Sequence, residues 1–261
     1  MSRKAVVSVY RTLMRQASRM KKRGEELEIR KPVSDQWGNY GYSETGLVYQ
    51  GNALAQMLGP SGVSVLRHFP GAEKLDGTSL QRTVRDNFRA HAEAAPEHVP
   101  RLVGQALTCL RGLLEQQYLH RCSSSAVTDG VRVDATSKFT TSGTAYTGRH
   151  QNLFSYRIRV TNLREEPIQL LGREWTIKND RGTIVVNVPH IPGNAVVGQQ
   201  PIIPPNDCFE YVSGTDLDTP AGLQSGKLEI AVMDKSTGRR GRTFMAEVAP
   251  FAHMRPDIAA R

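Results

Sequence analysis

Two groups of arginines are the residues of this chain best placed to do chemistry. Arg11, Arg15 and Arg19 recur every four residues, so on one helix they form a stripe of positive charge. Arg85 and Arg89 show the same spacing further along. The chain holds 34 Lys and Arg against 25 Asp and Glu, a net charge of +9. This balance favours acidic partners such as RNA, an acidic protein or an anionic membrane surface.

Motifs for covalent or metal chemistry are absent from the sequence. It has no GxSxG nucleophile elbow, no HExxH helix and no Walker loop. Three widely spaced cysteines without a CxxC pair predict neither a disulfide framework nor a zinc site, and they fit a reducing compartment. His150 and His190 lack acidic or cysteine partners at ligand spacing, and the other histidines are expected to be surface or packing residues. We therefore expect no catalytic residues, no metal site and a protein that is not an enzyme.

Three helical patterns must position these arginines. Apolar residues at spacings of three and four predict a helix over 3–23, and similar patterns predict helices over 79–95 and 99–121. The stretch at about 25–78 is rich in Gly, Pro and aromatic residues, which predicts an irregular segment. No run approaches the roughly eighteen apolar residues that a membrane-spanning helix needs. The first part of the chain is thus expected to be a helical domain without a transmembrane segment.

The pattern changes period near residues 122–128, where a serine run marks a predicted linker. Beyond it, short alternating segments are separated by turn residues. Tyr156, Ile158 and Val160, for example, alternate with polar side chains as in a half-buried strand. The sequence therefore predicts an α+β protein in two domains, an N-terminal antiparallel three-helix bundle and a C-terminal immunoglobulin- or fibronectin-III-like β-sandwich.

The N-terminus has the composition of an organellar address. Residues 1–24 carry eight basic residues, and the first acidic residue is Glu25. An amphipathic, Arg-rich and acid-free start is typical of mitochondrial transit peptides. The segment is either a cleaved presequence or a mature helix that also serves as an uncleaved address, and we favour the second interpretation.

The helical half resembles the LYR-motif proteins. Their start is matched by Val9-Tyr10-Arg11, with Val9 in place of the family's leucine, followed by Leu13, Met14 and Arg15. The family's Phe-containing signature in the second helix is matched by Arg85-Asp-Asn-Phe88-Arg89. A leucine-rich third helix follows in the right order. The resemblance predicts a LYR-like domain at 1–122 with an insertion at about 25–78.

LYR proteins are typically mitochondrial subunits or assembly factors of large complexes, and many bind the mitochondrial acyl carrier protein. The resemblance implies a location in the matrix or on the matrix face of the inner membrane. It implies no directly bound cofactor, but an acyl-phosphopantetheine presented by the carrier, whose burial between helices contributes about 0.8 kcal/mol per methylene. The residues it assigns to the acidic carrier protein and its phosphate are Tyr10, Arg11, Arg15, Arg85, Phe88 and Arg89.

The second half resembles the ApaG domain, a small β-sandwich that usually acts as a binding module. The matching segments are Phe154–Asn162, Gln169–Trp175, Val196–Pro201, Phe209–Gly214 and Thr219–Gly222. The resemblance predicts an ApaG-like domain at 129–254, followed by a tail at 255–261. Within it we expect Trp175 to be core and Arg173 to lie on the opposite, more exposed face.

A glycine-rich turn precedes the Val-Val-Gly-x-Gln-Pro segment in ApaG-like sequences and has been linked to phosphate-containing ligands. Here Gly193, Asn194 and Gly198 lie in that turn, while Ala195 stands at its middle glycine. Backbone N–H groups that approach an anion closely need glycine at such positions. These residues are a candidate anion-binding turn, and the alternative is a tight turn between strands.

We expect a non-catalytic accessory or assembly subunit of a large mitochondrial complex: the respiratory chain, the ATP synthase or the mitochondrial ribosome. The helical domain would dock acyl carrier protein and the ApaG-like domain would contact another subunit. One alternative is an RNA-contacting mitoribosomal or ribosome-assembly protein without acyl carrier protein, with Arg239-Arg-Gly-Arg242 as a further basic loop. A weaker alternative is a protein that binds nucleotides or polyphosphates.

Overall fold

Long helices dominate the first part of this chain and long strands the second. The computed structural model describes residues 3–28, 30, 33–34, 38, 40–43, 74–144, 148, 150–192, 196 and 198–259. They form an α+β structure divided into two units, Met1–Lys31 with Gly46–His120 and Pro32–Thr45 with Arg121–Arg261.

The helical unit contains α1 (Arg3–Arg23), α2 (Gly77–Ala90) and α3 (Val99–Arg121). The helix predicted over 3–23 is confirmed. The second helix begins at Gly77, because the Asp76 carboxylate accepts from the backbone N–H groups of Thr78 and Ser79 and caps its first turn. It ends at Ala90 rather than at residue 95. Two short strands, β1 (Glu26–Glu28) and β3 (Lys74–Asp76), pair antiparallel within the stretch predicted to be irregular.

The buried faces of these helices share one apolar core. The side chains of Val9, Leu13, Ala17 and Met20 on α1 are buried, as the helical spacing predicts. Residues of α2, α3 and the β1–β3 ribbon complete the cluster, among them Leu27, Leu75, Leu80, Val84 and Leu113. Burial of such side chains contributes roughly 1.5–3 kcal/mol each. The assignment of this core to a LYR-type three-helix bundle stays a prediction.

A buried amide connects α3 to the chain after β1. The Gln116 Oε1 accepts from the Arg30 backbone N–H at 2.6 Å, and its Nε2 donates to the Arg30 carbonyl at 2.9 Å. Both residues are buried. The side chain thus hydrogen-bonds both backbone groups of Arg30, which stabilises the packing of α3.

The second unit is a β-sandwich-like pair of antiparallel sheets. The strands are β2 (Tyr40–Ser43), β4 (Ser123–Thr128), β5 (Val131–Thr144), β6 (His150–Asn162), β7 (Ile168–Asn179), β8 (Ile184–Val188), β9 (Ile202–Ile203), β10 (Cys208–Leu217), β11 (Ala221–Met233) and β12 (Arg240–Met254). One sheet has the order β2-β10-β6-β5-β4, and the other has the order β12-β11-β7-β8 with β9 also paired to β7. Tyr156, Ile158 and Val160 point into its core, as their alternation predicts.

Three segments of this unit depart from the sequence expectation. The serine run predicted to be a linker is strand β4, which pairs with β5 across a turn where Asp129 and Gly130 adopt positive φ. Tyr40–Ser43, expected in the irregular insertion, forms the edge strand beside β10. The predicted tail at 255–261 begins with a short helix, α4 (Pro256–Ala259), and its Ala259 carbonyl accepts from Arg121. A local hairpin decides β4, whereas contacts with distant segments decide β2 and accompany α4.

A close approach of two strands shapes the sandwich core. A Cβ at Gly226 would lie 2.0 Å from the Glu174 carbonyl oxygen and 2.5 Å from the Trp175 ring. Trp175 is buried, as predicted. The expectation that Arg173 faces the opposite side is wrong, because side chains two residues apart on a strand share a face. Burial raises the pKa of the Tyr211 hydroxyl well above its ordinary value, and the Arg173 guanidinium opposes this shift.

Candidate functional site

The clearest cluster of predicted site residues lies where α1 meets α2. The rings of Tyr10 and Phe88 contact each other with centroids 5.1 Å apart. Both side chains are half-buried and pack against the helical core. Closer to the C-terminal end of α1, the Gln81 Nε2 donates to the Ser18 Oγ at 2.9 Å. These two contacts define the α1–α2 seam, along which the helices run antiparallel.

Gly77 allows α1 and α2 to approach each other closely at the seam. A Cβ at Gly77 would lie 2.4 Å from the backbone nitrogen of Lys21 and 2.5 Å from the carbonyl oxygen of Ala17. Real Cβ contacts are longer, so any side chain at this position would push the first turn of α2 away from α1. The sequence pattern did not indicate this role, since Gly77 precedes the helix start that apolar spacing predicted.

Four exposed arginines border the seam on one side. Arg11 and Arg15 lie seven and three residues before Ser18, and Arg85 and Arg89 lie four and eight residues after Gln81. By helical geometry both pairs continue the side on which the Ser18 and Gln81 side chains meet. Of the six residues predicted to bind acyl carrier protein, the structure shows Tyr10 in contact with Phe88, and the four arginines lie on the two helices that carry this contact. We call Arg11, Arg15, Arg85 and Arg89 the seam arginines.

The seam arginines are electrostatically unsatisfied within the described part of the chain. All four side chains are exposed and none forms an ion pair with another described residue. Helix α1 has no acidic residue, and Asp86 is the single carboxylate on α2. Guanidinium groups prefer carboxylate and phosphate oxygens, often in bidentate geometry. This arrangement can hold an acidic helix or a phosphate beside an aromatic contact.

The candidate anion-binding turn is only partly described. Gly193 and Asn194 lie outside the described residues. Gly198 has a φ of +77°, a conformation that favours glycine. On either side of it, the Val196 N–H donates to the Gln199 carbonyl at 3.0 Å and the Gln199 N–H donates to the Val196 carbonyl at 2.8 Å. Because these two N–H groups bond each other's residues, neither points at an anion, and the geometry is that of a tight turn.

A buried polar cluster in the sandwich has no signature in the sequence. The His253 Nε2 lies 2.9 Å from the Gln224 Oε1 and its Nδ1 lies 2.7 Å from the Ser137 Oγ. Since the Gln224 oxygen accepts, Nε2 carries the hydrogen and Nδ1 accepts from the serine hydroxyl. Burial lowers the pKa of His253 to about 3, so the ring is neutral. A serine beside a histidine suggests a nucleophile and a base, but all three side chains are fully buried and no substrate reaches them.

The second predicted basic region, Arg239–Arg242, is largely occupied by contacts within the sandwich. Arg240 donates to the Gln169 Oε1 at 2.7 Å and to the Gln200 Oε1 at 3.2 Å. Arg242 forms an ion pair with Asp129 and lies over the Phe244 ring at 5.5 Å from its centroid. These arginines secure the end of β12, which weakens the interpretation of this loop as a free RNA contact.

His190 has an acidic partner that its neighbours in the sequence did not indicate. Its Nε2 lies 3.0 Å from the Glu229 Oε2 on β11, 39 residues away in sequence. No group of three or more His, Cys, Asp or Glu side chains suited to a metal ion occurs among the described residues. None of the described helices is long and apolar enough to cross a bilayer.

Comparison with known proteins identifies the strand-rich half. Residues 144–232 match the family model of the ApaG domain. Protein ApaG from Xanthobacter autotrophicus is 34% identical over 134 residues, a match that covers 51% of this chain and 94% of that protein. The chain belongs to the ApaG family. Protein ApaG from a Shewanella species (strain MR-7) is 33% identical over 134 residues, covering 51% of this chain and 98% of that protein.

A solved structure is also similar to part of this chain. The X-ray structure of a Northeast Structural Genomics Consortium target is 33% identical, with a TM-score of 0.43, and the match covers 50% of this chain and 91% of that one. The ApaG family match ends at residue 232 and begins at residue 144, so it includes strands β6 to β11 and excludes the α1–α2 seam. The seam is therefore a feature of this chain outside its ApaG domain.

Proposed function

We propose that this chain is a non-catalytic accessory or assembly subunit of a large mitochondrial complex, such as the respiratory chain, the ATP synthase or the mitochondrial ribosome. Its helical domain, a LYR-type three-helix bundle in this proposal, docks acyl carrier protein. Its ApaG domain, an immunoglobulin- or fibronectin-III-like sandwich, holds another subunit. The observation that carries the proposal is the set of seam arginines beside the Tyr10–Phe88 contact.

Charge and apolar surface support the first half of this proposal. Acyl carrier protein is acidic and carries a phosphate, so unpaired guanidinium groups would steer it and fix its register. The attached acyl chain needs apolar surface. On α3 the Leu107 and Leu114 side chains, seven residues apart, remain 49% and 46% exposed. This exposed apolar pair suits an acyl chain or an apolar side chain of the carrier.

An exposed sheet edge supports the role of the ApaG domain. Strand β8 lies at the end of its sheet, and Ile184 and Val185 on it are 55% and 39% exposed. The strand contains no charged residue and no proline, the devices by which proteins usually protect an edge. Such an edge can add an extended segment of another protein through backbone hydrogen bonds. The nucleotide-binding alternative has less support, because the Val196 and Gln199 N–H groups are engaged with each other.

The test is recovery of the carrier protein with the tagged full-length chain from mitochondria, read by intact mass spectrometry. We expect an acyl carrier protein with an acyl-phosphopantetheine to co-purify with the wild type. The affinity of the Arg85→Glu, Arg89→Glu variant for the carrier protein should be at least tenfold lower, a loss of about 1.4 kcal/mol of binding free energy. The matched control is Arg101→Glu, Arg111→Glu, which reverses two exposed charges on α3 and should retain it. A folded wild type without any carrier protein would overturn the proposal.

A further inference from the structure

Helix α1 presents a long basic surface beyond the seam. Seven of its eight basic residues make no ion pair with a described residue, and the eighth, Arg23, pairs with Glu25 at 3.2 Å. All eight side chains are exposed. Helical spacing places one set of them on a single face, which we call the α1 basic face: Lys4, Arg11, Arg15, Arg19 and Lys22.

This face breaks two local rules of helix stability. Arg3 and Lys4 stand in the first turn, where the helix dipole is positive, and no acidic residue is there to oppose it. Arg11, Arg15 and Arg19 repeat at intervals of four, a spacing at which like charges repel. Helix α2, by contrast, has a capping carboxylate at Asp76. Departures from such rules without internal compensation are expected where an external partner supplies it.

The partner that would compensate is a chain of negative charges. A helix of 21 residues extends about 30 Å, which is the length of several successive phosphates along a nucleic acid strand. Insertion into a membrane is disfavoured, because the apolar residues Val9, Leu13 and Met20 that would enter the lipid are already buried in the helical core. The α1 basic face carries no aromatic side chain for base stacking, which indicates contact with the backbone alone.

We infer that the α1 basic face binds the phosphate backbone of nucleic acid without sequence preference. This function adds to the proposed docking of acyl carrier protein and does not depend on it. Lys4, Arg19 and Lys22 lie outside the set of seam arginines, and Arg85 and Arg89 lie outside the basic face. The two activities can therefore be removed separately.

The experiment is fluorescence anisotropy of the full-length chain with a fluorescein-labelled, mixed-sequence, single-stranded RNA of 20 nucleotides at several salt concentrations. We expect the Arg19→Glu, Lys22→Glu variant to bind at least tenfold more weakly. Its salt dependence should also fall, since each lost phosphate contact lowers the slope of log K against log salt by about 0.7. Circular dichroism shows whether the helix remains folded.

Two matched variants make the result specific. The Arg101→Glu, Arg111→Glu chain has the same net charge as the test variant and should bind RNA as the wild type does. The Arg85→Glu, Arg89→Glu chain should also keep RNA binding, although it loses the carrier protein. An equal loss of RNA affinity in all three variants would show that net charge alone determines binding, and it would overturn the inference. So would a wild type that ignores RNA, or one that binds only vesicles of phosphatidylserine and phosphatidylcholine.

Discussion

The helical unit and the sandwich treat their charged groups in opposite ways. In the sandwich, arginines are paired internally: Arg164 and Arg242 with Asp129, and Arg132 with Asp134. On α1 and α2 of the helical unit, no exposed arginine other than Arg23 forms an ion pair with another described residue, although the Arg82 charge helps to lower the pKa of Asp76. A self-satisfied surface adds stability and order, whereas unpaired cations are available to an acidic partner. The unpaired charge that suits recognition therefore lies outside the ApaG domain.

The two units also bury polar groups differently. The sandwich encloses a side-chain network of Ser137, Gln224 and His253, whereas the helical unit uses one amide, Gln116, to satisfy backbone groups. The first network contains a titratable ring and the second does not. Low pH should therefore destabilise the sandwich by protonating His253, whereas the Gln116 contact contains no side chain that titrates. Substitutions in the two units test these contrasts.

The largest expected effect lies in the sandwich core. Replacing Gly226 by alanine should lower the free energy of unfolding by about 3 kcal/mol or more, because the new Cβ would overlap the Glu174 carbonyl and the Trp175 ring. Urea unfolding followed by tryptophan fluorescence measures the loss. Gly143→Ala is the matched control, since a Cβ there meets nothing within 4 Å. Equal stability of both variants would contradict the packing described for β7 and β11.

Acid should destabilise the sandwich through His253. Its pKa is lowered from 6.5 to about 3 in the folded chain, so between these values the unfolded chain binds the extra proton. The free energy of unfolding should then fall by up to about 1.4 kcal/mol per pH unit as the pH drops below 6.5, and by about 2.5 kcal/mol at pH 4.5. Urea titrations of wild type and His253→Gln at several pH values measure this. The variant should show a shallower pH dependence, whereas His98→Gln, at an exposed position, should follow the wild type.

A smaller loss is expected for the amide of the helical unit. Gln116→Leu would remove both buried hydrogen bonds to the Arg30 backbone, which should cost about 2 kcal/mol. Hydrogen exchange should become faster around β1 and α3. Gln105→Leu, at an exposed position on the same helix, controls for the added apolar side chain. If exchange around β1 did not change, the Arg30 contact would not stabilise the unit.

The smallest expected effect is at the cap of α2. Burial raises the pKa of Asp76, but hydrogen bonds from Ser79 and Thr78 outweigh it, so the pKa is lowered overall. Asp76→Ala should cost about 1 kcal/mol at neutral pH, and Asp76→Asn less, because asparagine also caps. The carboxylate's contribution should be lost as the pH falls below its ordinary pKa. Thermal unfolding at pH 7 and pH 3 tests this, and equal losses at both values would exclude a charged cap.

Local patterns in the sequence were sufficient for some of these elements. The helix at 3–23 and the inward positions Tyr156, Ile158 and Val160 follow from periodicity, because burial of one face imposes the period of the element. Strands β2 and β4 could not be found in this way. Their residues carry little apolar pattern, and pairing with β10 and β5 decides their conformation. The prediction for Arg173 was wrong because it placed two residues that are two positions apart on a strand on opposite faces.

For the candidate site, the sequence by itself determined which residues carry charge and on which helices they lie. It also determined the family of the second half, through segments that the ApaG match includes. The tertiary structure was needed to show that the two helices carrying these arginines pack against each other, with Tyr10 on Phe88 and Gln81 on Ser18. The physical reason is that charge and periodicity are local properties of a chain. The meeting of two helices depends instead on a long-range contact, here the close approach that Gly77 permits.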